Sequence, residues 1–198
     1  MDLDIEPIDL AERPIGRMDQ NERINDELLV IRAQEGAIEA LEALIQRWQD
    51  RLWRLAWRLT DDEQAAWDVL QEAWLVISRR IGRLVDPAAF PAWAYRITAN
   101  KARDWVRRQG RMRRADEAYG RGRQEVQPLD TDERHGDLRA ALAALSGRDR
   151  AILSLRYEDG FSTADIAEIL EIPAGTVKSR LHHARARLRR FLGDQEDE

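Results

Sequence analysis

Apolar positions along this chain recur in steps of three and four, and no stretch shows the two-residue alternation of a half-buried strand. The pattern begins near Asp26 with Leu28, Leu29 and Ile31. After Gly36 it resumes with Ile38, Leu41, Leu44, Ile45, Trp48, Leu52, Leu55, Ala56 and Leu59, which predicts one long helix. Thr60-Asp61-Asp62-Glu63 breaks that run and has the spacing of a capping box for the next helix. This helix extends to about Ile81, with Ala66, Val69, Leu70, Ala73, Trp74 and Ile77 inward. A short loop from Gly82 to Pro87 precedes another long helix over about Ala88 to Gln109, whose inner face holds Trp93, Ile97 and Trp105.

From Gly110 to about Gly136 the periodicity gives way to Arg, Gly, Asp, Glu and Gln, the composition of a flexible linker. Patterning returns with Leu138, Leu142 and Leu145 and continues through Ile152, Leu153, Leu155 and Tyr157. The expectation is an all-α protein of two small helical domains joined by a flexible linker. Its segments are a loose extension over 1–25, a first domain over 26–110, the linker over 111–136, a second domain over 137–192 and an acidic tail over 193–198.

The second domain ends in a recognisable arrangement. Ser162 is placed to cap a short helix, with Asp165 three residues on returning a carboxylate to the first turn, and Ile166, Ile169 and Leu170 form its apolar face. Pro173 cannot continue that helix but suits the start of the next, where Gly175 and Thr176 also fall. Val177, Leu181, Ala184, Leu188 and Phe191 or Leu192 then form a buried stripe. At roughly 100° per residue, Ser179, His182 and Ala186 point away from it. Two helices so joined are a helix-turn-helix, whose second member enters the major groove of DNA. The competing reading is a solvated helix closing a bundle, with arginine stems lying on apolar surface.

Charge favours the nucleic-acid reading once it is followed along the chain. The whole protein carries a formal charge of −5, yet residues 91–124 carry +7 and residues 173–192 carry +6, the latter with no acidic residue at all. The intervening blocks are acidic: −8 over 1–80, −6 over 125–172 and −4 over 193–198. Two basic blocks on an acidic body suggest two nucleic-acid contact surfaces. The total hides them.

Composition excludes several other classes. There is no Cys, hence no disulfide framework and no thiolate site, which fits a reducing cytoplasm. No apolar run approaches the ~18 residues of a membrane span, and the acidic start from Met1 to Asp9 is no secretory signal. No nucleophile–base pairing, phosphate-cradling glycine loop or ligand cluster points to catalysis, so neither a cofactor nor a small-molecule substrate is expected. His182 and His183 are adjacent and face different directions on a helix, which speaks against a metal site. Lys occurs only at 101 and 178, the remaining basic residues being Arg, a bias that genomic base composition explains.

Three ordered stretches resemble a known family. Asp68-Val69-Leu70-Gln71-Glu72-Ala73-Trp74, Phe90-Pro91-Ala92-Trp93-Ala94-Tyr95-Arg96-Ile97-Thr98-Ala99-Asn100, and Leu155 to Ser162 followed by Gly175 to Leu181 are similar to segments of bacterial RNA polymerase sigma factors of the extracytoplasmic-function group. The resemblance covers 26–110, similar to the family's second conserved region, and 138–192, similar to its fourth. It implies a non-enzymatic factor that binds core RNA polymerase, recognises two promoter elements and opens the downstream one. It also implies an anti-sigma factor as inhibitory partner and a cytoplasmic location.

The resemblance distributes roles over residues. Asp68, Gln71 and Glu72 share one helix face by their spacing, and the family docks this face on a helical coiled coil of the polymerase. Their other reading is an ordinary solvated acidic face. In the downstream set stand Arg83 and Asp86 of the loop, then Phe90, Asn100 and Asp104. Phe90 and Tyr95 either belong to the core or stack on bases, and an Asn offers both donor and acceptor to a base edge. Arg96, Lys101, Arg103, Arg107 and Arg108 are the phosphate contacts of that helix. The upstream set holds Ser162, Thr163, Lys178, Ser179, Arg180, His182 and His183, supported by Arg156. Gly175 and Thr176 present backbone N–H groups to a phosphate. Trp67 and Trp74, which depart from commoner family residues, are read as packing. The alternative function is a stand-alone helix-turn-helix regulator with an N-terminal dimerisation or sensing domain, which would need neither the Asp68–Glu72 face nor the Phe90–Asn100 helix.

Overall fold

A computed structural model describes the backbone of residues 20–118 and 145–193, with side chains over 20–112 and 145–190. Every regular element among the described residues is helical. Helix α1 spans Gln20–Gln34, so residues 20–25, expected to be loose, are helical. It buries Asp26 and Val30, while Leu28 and Ile31, expected to begin the core, are 53 % and 42 % exposed. A charged residue can hold an inward position here because Arg47 Nε donates to the Asp26 carboxylate at 2.7 Å, a charge-assisted bond that offsets part of its desolvation. Burial nevertheless pushes the Asp26 carboxyl above its ordinary range, against the opposing effect of Arg47.

Helix α2, Ile38–Thr60, buries Ala40, Leu44, Trp48, Leu52, Leu55 and Ala56. Its end differs in detail from the spacing-based expectation. Asp61 takes a left-handed conformation with φ 56, and its N–H donates to the Trp57 carbonyl at 2.8 Å. The cap of helix α3, Glu63–Arg80, is then Asp62, whose carboxylate accepts from Ala65 N at 2.8 Å. Thr60 turns its hydroxyl back to the Ala56 carbonyl at 2.9 Å, so the proposed capping box does not form. Asp62→Ala should cost about 1 kcal/mol in urea unfolding. An unchanged midpoint would contradict the assignment of this cap.

Two short 3-10 turns, Ile81–Arg83 and Pro87–Ala89, lead into helix α4, Phe90–Ala118. A central glycine disfavours helix by about 1 kcal/mol relative to alanine, yet Gly110 does not end α4. The first residues assigned to the linker, 111–118, therefore continue the helix, and 119–136 lie outside the described residues. The core of this first half is built around Trp48, whose ring meets Phe90 at 5.9 Å and Tyr95 at 6.3 Å, both edge-on.

The second half holds helices α5 (Gly147–Tyr157), α6 (Thr163–Leu170) and α7 (Ala174–Gly193). The capping box at Ser162 forms as the sequence predicts: Asp165 N donates to Ser162 Oγ at 3.1 Å and Ser162 N to Asp165 Oδ2 at 2.8 Å. Helix α6 closes on Glu171 in a left-handed conformation, φ 47, and Ile172 N returns to the Ala167 carbonyl at 3.0 Å. The Pro173 carbonyl then accepts from Thr176 N at 2.8 Å, which starts α7. Val177, Leu181 and Ala184 are buried, with Leu188 packed against them, as the stripe required. Leu138 and Leu142, the side chains of Phe191 and Leu192, and the tail 194–198 fall outside the described residues. The cores of the two halves are continuous, with the Tyr95 and Phe161 rings 5.0 Å apart at their junction.

Candidate polymerase and nucleic-acid interfaces

Three surfaces result. On α3 the inward positions Ala66, Val69, Leu70, Ala73 and Ile77 fix the helix against the core, which turns Asp68 and Gln71 outward to solvent. Glu72 shares their face but is not independent. Its carboxylate sits 3.3 Å from Lys101 Nζ and 3.5 Å from Arg108 Nη2, tying α3 to α4. Leu75, three residues further along, is 55 % exposed and adds an apolar side chain to this face. Sequence reasoning missed Leu75, although its spacing from Asp68 and Glu72 was visible. Trp67 is 42 % exposed and leans on Trp53, ring centroids 5.6 Å apart, so its packing is one-sided.

The second surface is α4 with the turn before it. Phe90 leaves the DNA-contacting set: its ring has 0 % exposure, because helix α4 starts by inserting it against Trp48. Tyr95 is core as well, with only its hydroxyl reaching a polar partner. Arg107 and Arg108 are exposed, and Arg107 Nη1 lies 3.8 Å from Asp104 Oδ1. In the loop, Arg83 is exposed, whereas Asp86 accepts from Ala88 N at 2.9 Å and acts as a cap. Val85, between them, is 85 % exposed. The loop is held by Gln34 of α1, whose Nε2 donates to the carbonyls of Ile81 at 3.0 Å and Leu84 at 2.7 Å. No sequence pattern pointed to Gln34, since the partners are backbone atoms far along the chain.

The third surface is the outer face of the helix-turn-helix. Gly175, Lys178, Ser179, His182 and His183 are exposed, and the two imidazoles stand 5.6 Å apart. Ser179 Oγ donates to the Thr176 carbonyl at 3.0 Å, which anchors the first turn. Arg180 is partly engaged, 3.8 Å from Asp149 of α5. Arg156 donates to the Phe161 carbonyl at 3.0 Å and braces the loop into α6. Ser162 and Thr163 are half-buried, Ser162 as the cap described above.

The two halves also touch through polar groups that the sequence did not bring together. The Glu171 carboxylate accepts from Asn100 Nδ2 at 2.9 Å and lies 2.9 Å from Arg103 Nη2 and 3.4 Å from Arg96 Nε; Arg103 also donates to Asn100 Oδ1. Tyr95 donates to Asp159 at 2.8 Å, and Arg58 pairs with Glu158 at 2.8 Å. Burial pushes Glu171 up, but Asn100 and the charge of Arg103 more than reverse this, leaving it below the ordinary glutamate range. Burial holds Asp159 above its ordinary range despite the Tyr95 hydrogen bond. The signs therefore oppose. Glu171 contributes above the ordinary carboxylate range and loses its contribution as pH falls through its lowered value. The contribution of Asp159 is full at acid pH and fades as pH rises through its raised value.

A profile described as sigma-70 region 2 matches residues 44–112, and one described as sigma-70, region 4 matches residues 135–188. The RNA polymerase sigma-H factor of Pseudomonas aeruginosa is 30% identical over 180 residues, covering 84% of this chain and 93% of that protein. The ECF RNA polymerase sigma-E factor of Haemophilus influenzae is 31% identical over 178 residues, covering 83% of this chain and 93% of that protein. For the ECF RNA polymerase sigma factor SigE of Mycolicibacterium smegmatis the identity is 35% over 170 residues, covering 83% of this chain and 66% of that longer protein. Among solved structures, CnrH in complex with the cytosolic domain of CnrY superposes with a TM-score of 0.57 at 25% identity, covering 86% of this chain and 98% of that one. The sigma factor RpoE of Bartonella quintana, in complex with the anti-sigma factor NepR, has the same fold, with a TM-score of 0.62 at 24% identity over 79% of this chain and 98% of that one. The chain thus belongs to the RNA polymerase sigma factors of the extracytoplasmic-function group. It is a DNA-binding transcription-initiation factor that works with core RNA polymerase, in a family that is not one of enzymes. Among the described residues no helix is long and apolar enough to cross a membrane.

Proposed function

We propose that this sigma factor divides its work among the three surfaces, with 26–110 and 137–192 acting as its two functional domains. Asp68, Gln71 and Glu72, joined by Leu75, dock on the polymerase. Helix α4 and the loop Arg83–Asp86 take the downstream promoter element, with Asn100 and Asp104 toward the bases and Arg96, Lys101, Arg103, Arg107 and Arg108 toward phosphates. The helix-turn-helix takes the upstream element through Lys178, Ser179, Arg180, His182 and His183, with the first-turn amides of Gly175 and Thr176 on a phosphate. Ser162, Thr163 and Arg156 hold the supporting loop. The chain catalyses no reaction itself, acts in the cytoplasm and is restrained by an anti-sigma factor, the kind of partner bound to the B. quintana relative.

The observation that carries this division is the separation of an outward acidic face on α3 from two basic helices, one of them, α7, without an acid among its described side chains. A simple regulator needs only α7. Purified protein mixed with core polymerase should co-elute on gel filtration and give specific run-off transcripts from a promoter selected by the holoenzyme. Absence of both leaves the stand-alone regulator as the better reading. Within the upstream set Lys178 is the cleanest probe, because Arg180 is partly held by Asp149. Lys178→Ala should lower the salt dependence of upstream-element binding by about one counterion and leave core co-elution unchanged. Equal loss of core binding would contradict its role.

A further inference from the structure

Tyr157 is the last residue of α5 and takes no part in the three surfaces, yet it is 48 % exposed. Its ring lies beneath a cation: the Arg185 guanidinium carbon, on α7, stands 5.6 Å from the ring centroid. That is within the range over which an aromatic face attracts a guanidinium. Arg185 is exposed and pairs with no carboxylate among the described residues. Arg180, by contrast, is drawn toward Asp149 near the start of α5. Glu158, next to Tyr157, is taken up by Arg58 and Ser154, and α7 carries no acid among its described side chains. Among the described residues, then, it is the Tyr157 ring that orders the Arg185 head group.

The position of Arg185 on α7 gives this arrangement a use. At roughly 100° per residue, Lys178, Arg185 and Arg189 fall on one stripe, and all three are exposed. The stripe runs along a flank of the helix, between the buried Val177, Leu181 and Ala184 and the outward Ser179 and His182. A helix seated in the major groove turns its outermost residues to base edges, while its flanks lie beside the sugar–phosphate backbones. A guanidinium stacked flat on a ring keeps its N–H edge free for a phosphate.

We infer that Tyr157 is a positioning residue for upstream-element binding: its ring holds the Arg185 guanidinium ready for a phosphate beside the groove that α7 enters. This rests on the reading of α7 as the DNA-entering helix. An arginine that rotates freely loses side-chain freedom when it grips a phosphate, and one already stacked loses less. Tyr157 lies outside both helices of the motif, so the preceding helix helps fix the register of α7 on the duplex without reading a base.

The test uses the full chain and a fluorescein-labelled duplex enriched by that chain from a random pool, with anisotropy read at several salt concentrations. Arg185→Gln should weaken binding and reduce the slope of log affinity against log salt by about 0.9, one phosphate contact. Tyr157→Ala should weaken binding by about two- to fivefold with the slope unchanged, because the contact remains but is no longer prearranged. Tyr157→Phe keeps the ring and should bind like the parent. In an Arg185→Gln background, Tyr157→Ala should have no further effect. Additive losses from the two substitutions, or a Tyr157→Phe as weak as Tyr157→Ala, overturn the positioning role. An unaltered salt slope for Arg185→Gln overturns the phosphate contact. Lys178→Ala, read in parallel, separates this inference from the reading beneath it. If Lys178→Ala lowers affinity and slope while Arg185→Gln does not, the Tyr157–Arg185 contact alone fails; if neither changes them, the DNA-entering role of α7 fails with it.

Discussion

Asp68→Lys should weaken co-elution with core polymerase by on the order of 100-fold, roughly 2.8 kcal/mol, while the free protein unfolds at the same urea concentration. Asp68 is exposed and no ion pair within the described structure engages it, so reversal of its charge removes nothing from the fold. Exposed substitutions of this kind stay within about 0.5 kcal/mol of the parent in stability. The effect on docking is large because a like charge facing its former partner is penalised as well as unpaired. Glu72→Lys is a poorer probe, since it also breaks the pairs with Lys101 and Arg108 and mixes docking with the α3–α4 contact. Fluorescence anisotropy of labelled protein titrated with core polymerase gives the affinity. An unaltered affinity for Asp68→Lys would mean that this face is an ordinary solvated one.

Phe90→Ala should cost about 3–5 kcal/mol and lower the melting temperature by on the order of 10 °C. The ring is fully buried and edge-packed on Trp48, so its removal leaves a cavity at the junction of α2 and α4. Val85→Ala, at the exposed tip of the preceding loop, should stay within about 0.5 kcal/mol in stability while reducing downstream-element binding by the holoenzyme. Calorimetry on the two variants separates a core role from a base-contacting one. If Phe90→Ala melts with the parent and loses only DNA binding, the packing described for α4 is wrong.

These two residues illustrate what the sequence makes legible. Periodicity places Val69, Ala73 and Ile77 inward on α3, and with them, by elimination, Asp68 and Gln71 outward. The helix-turn-helix was readable down to the Ser162–Asp165 box, because caps and stripes are encoded by neighbours within one turn. Phe90 was not decidable, since an aromatic near a helix start serves a core or a base equally well until its neighbours are known. Asp26 is buried where Leu28 and Ile31 were expected to begin the core, and a long-range partner, Arg47, makes its carboxylate acceptable inside. At Thr60-Asp61-Asp62-Glu63 the spacing suggested a box begun by Thr60, and the left-handed Asp61 moves the cap to Asp62. Gln34 and Glu171 could not be found at all: each acts on backbone or side chains many tens of residues away. Interactions of that range set how the halves face each other, which local pattern does not encode.

On the proposed assignment, α4 opens DNA at the downstream element only when the α3 face has placed it on the polymerase. Permanganate reactivity of thymines across a selected promoter measures strand opening directly. With core polymerase and the parent protein, thymines of the downstream element should become reactive. They should stay unreactive with either component alone, and with Asp68→Lys in place of the parent. Thymines that open with the protein alone, or that stay closed with the complete holoenzyme while transcripts start elsewhere, would contradict the assignment of α4 and α3 together.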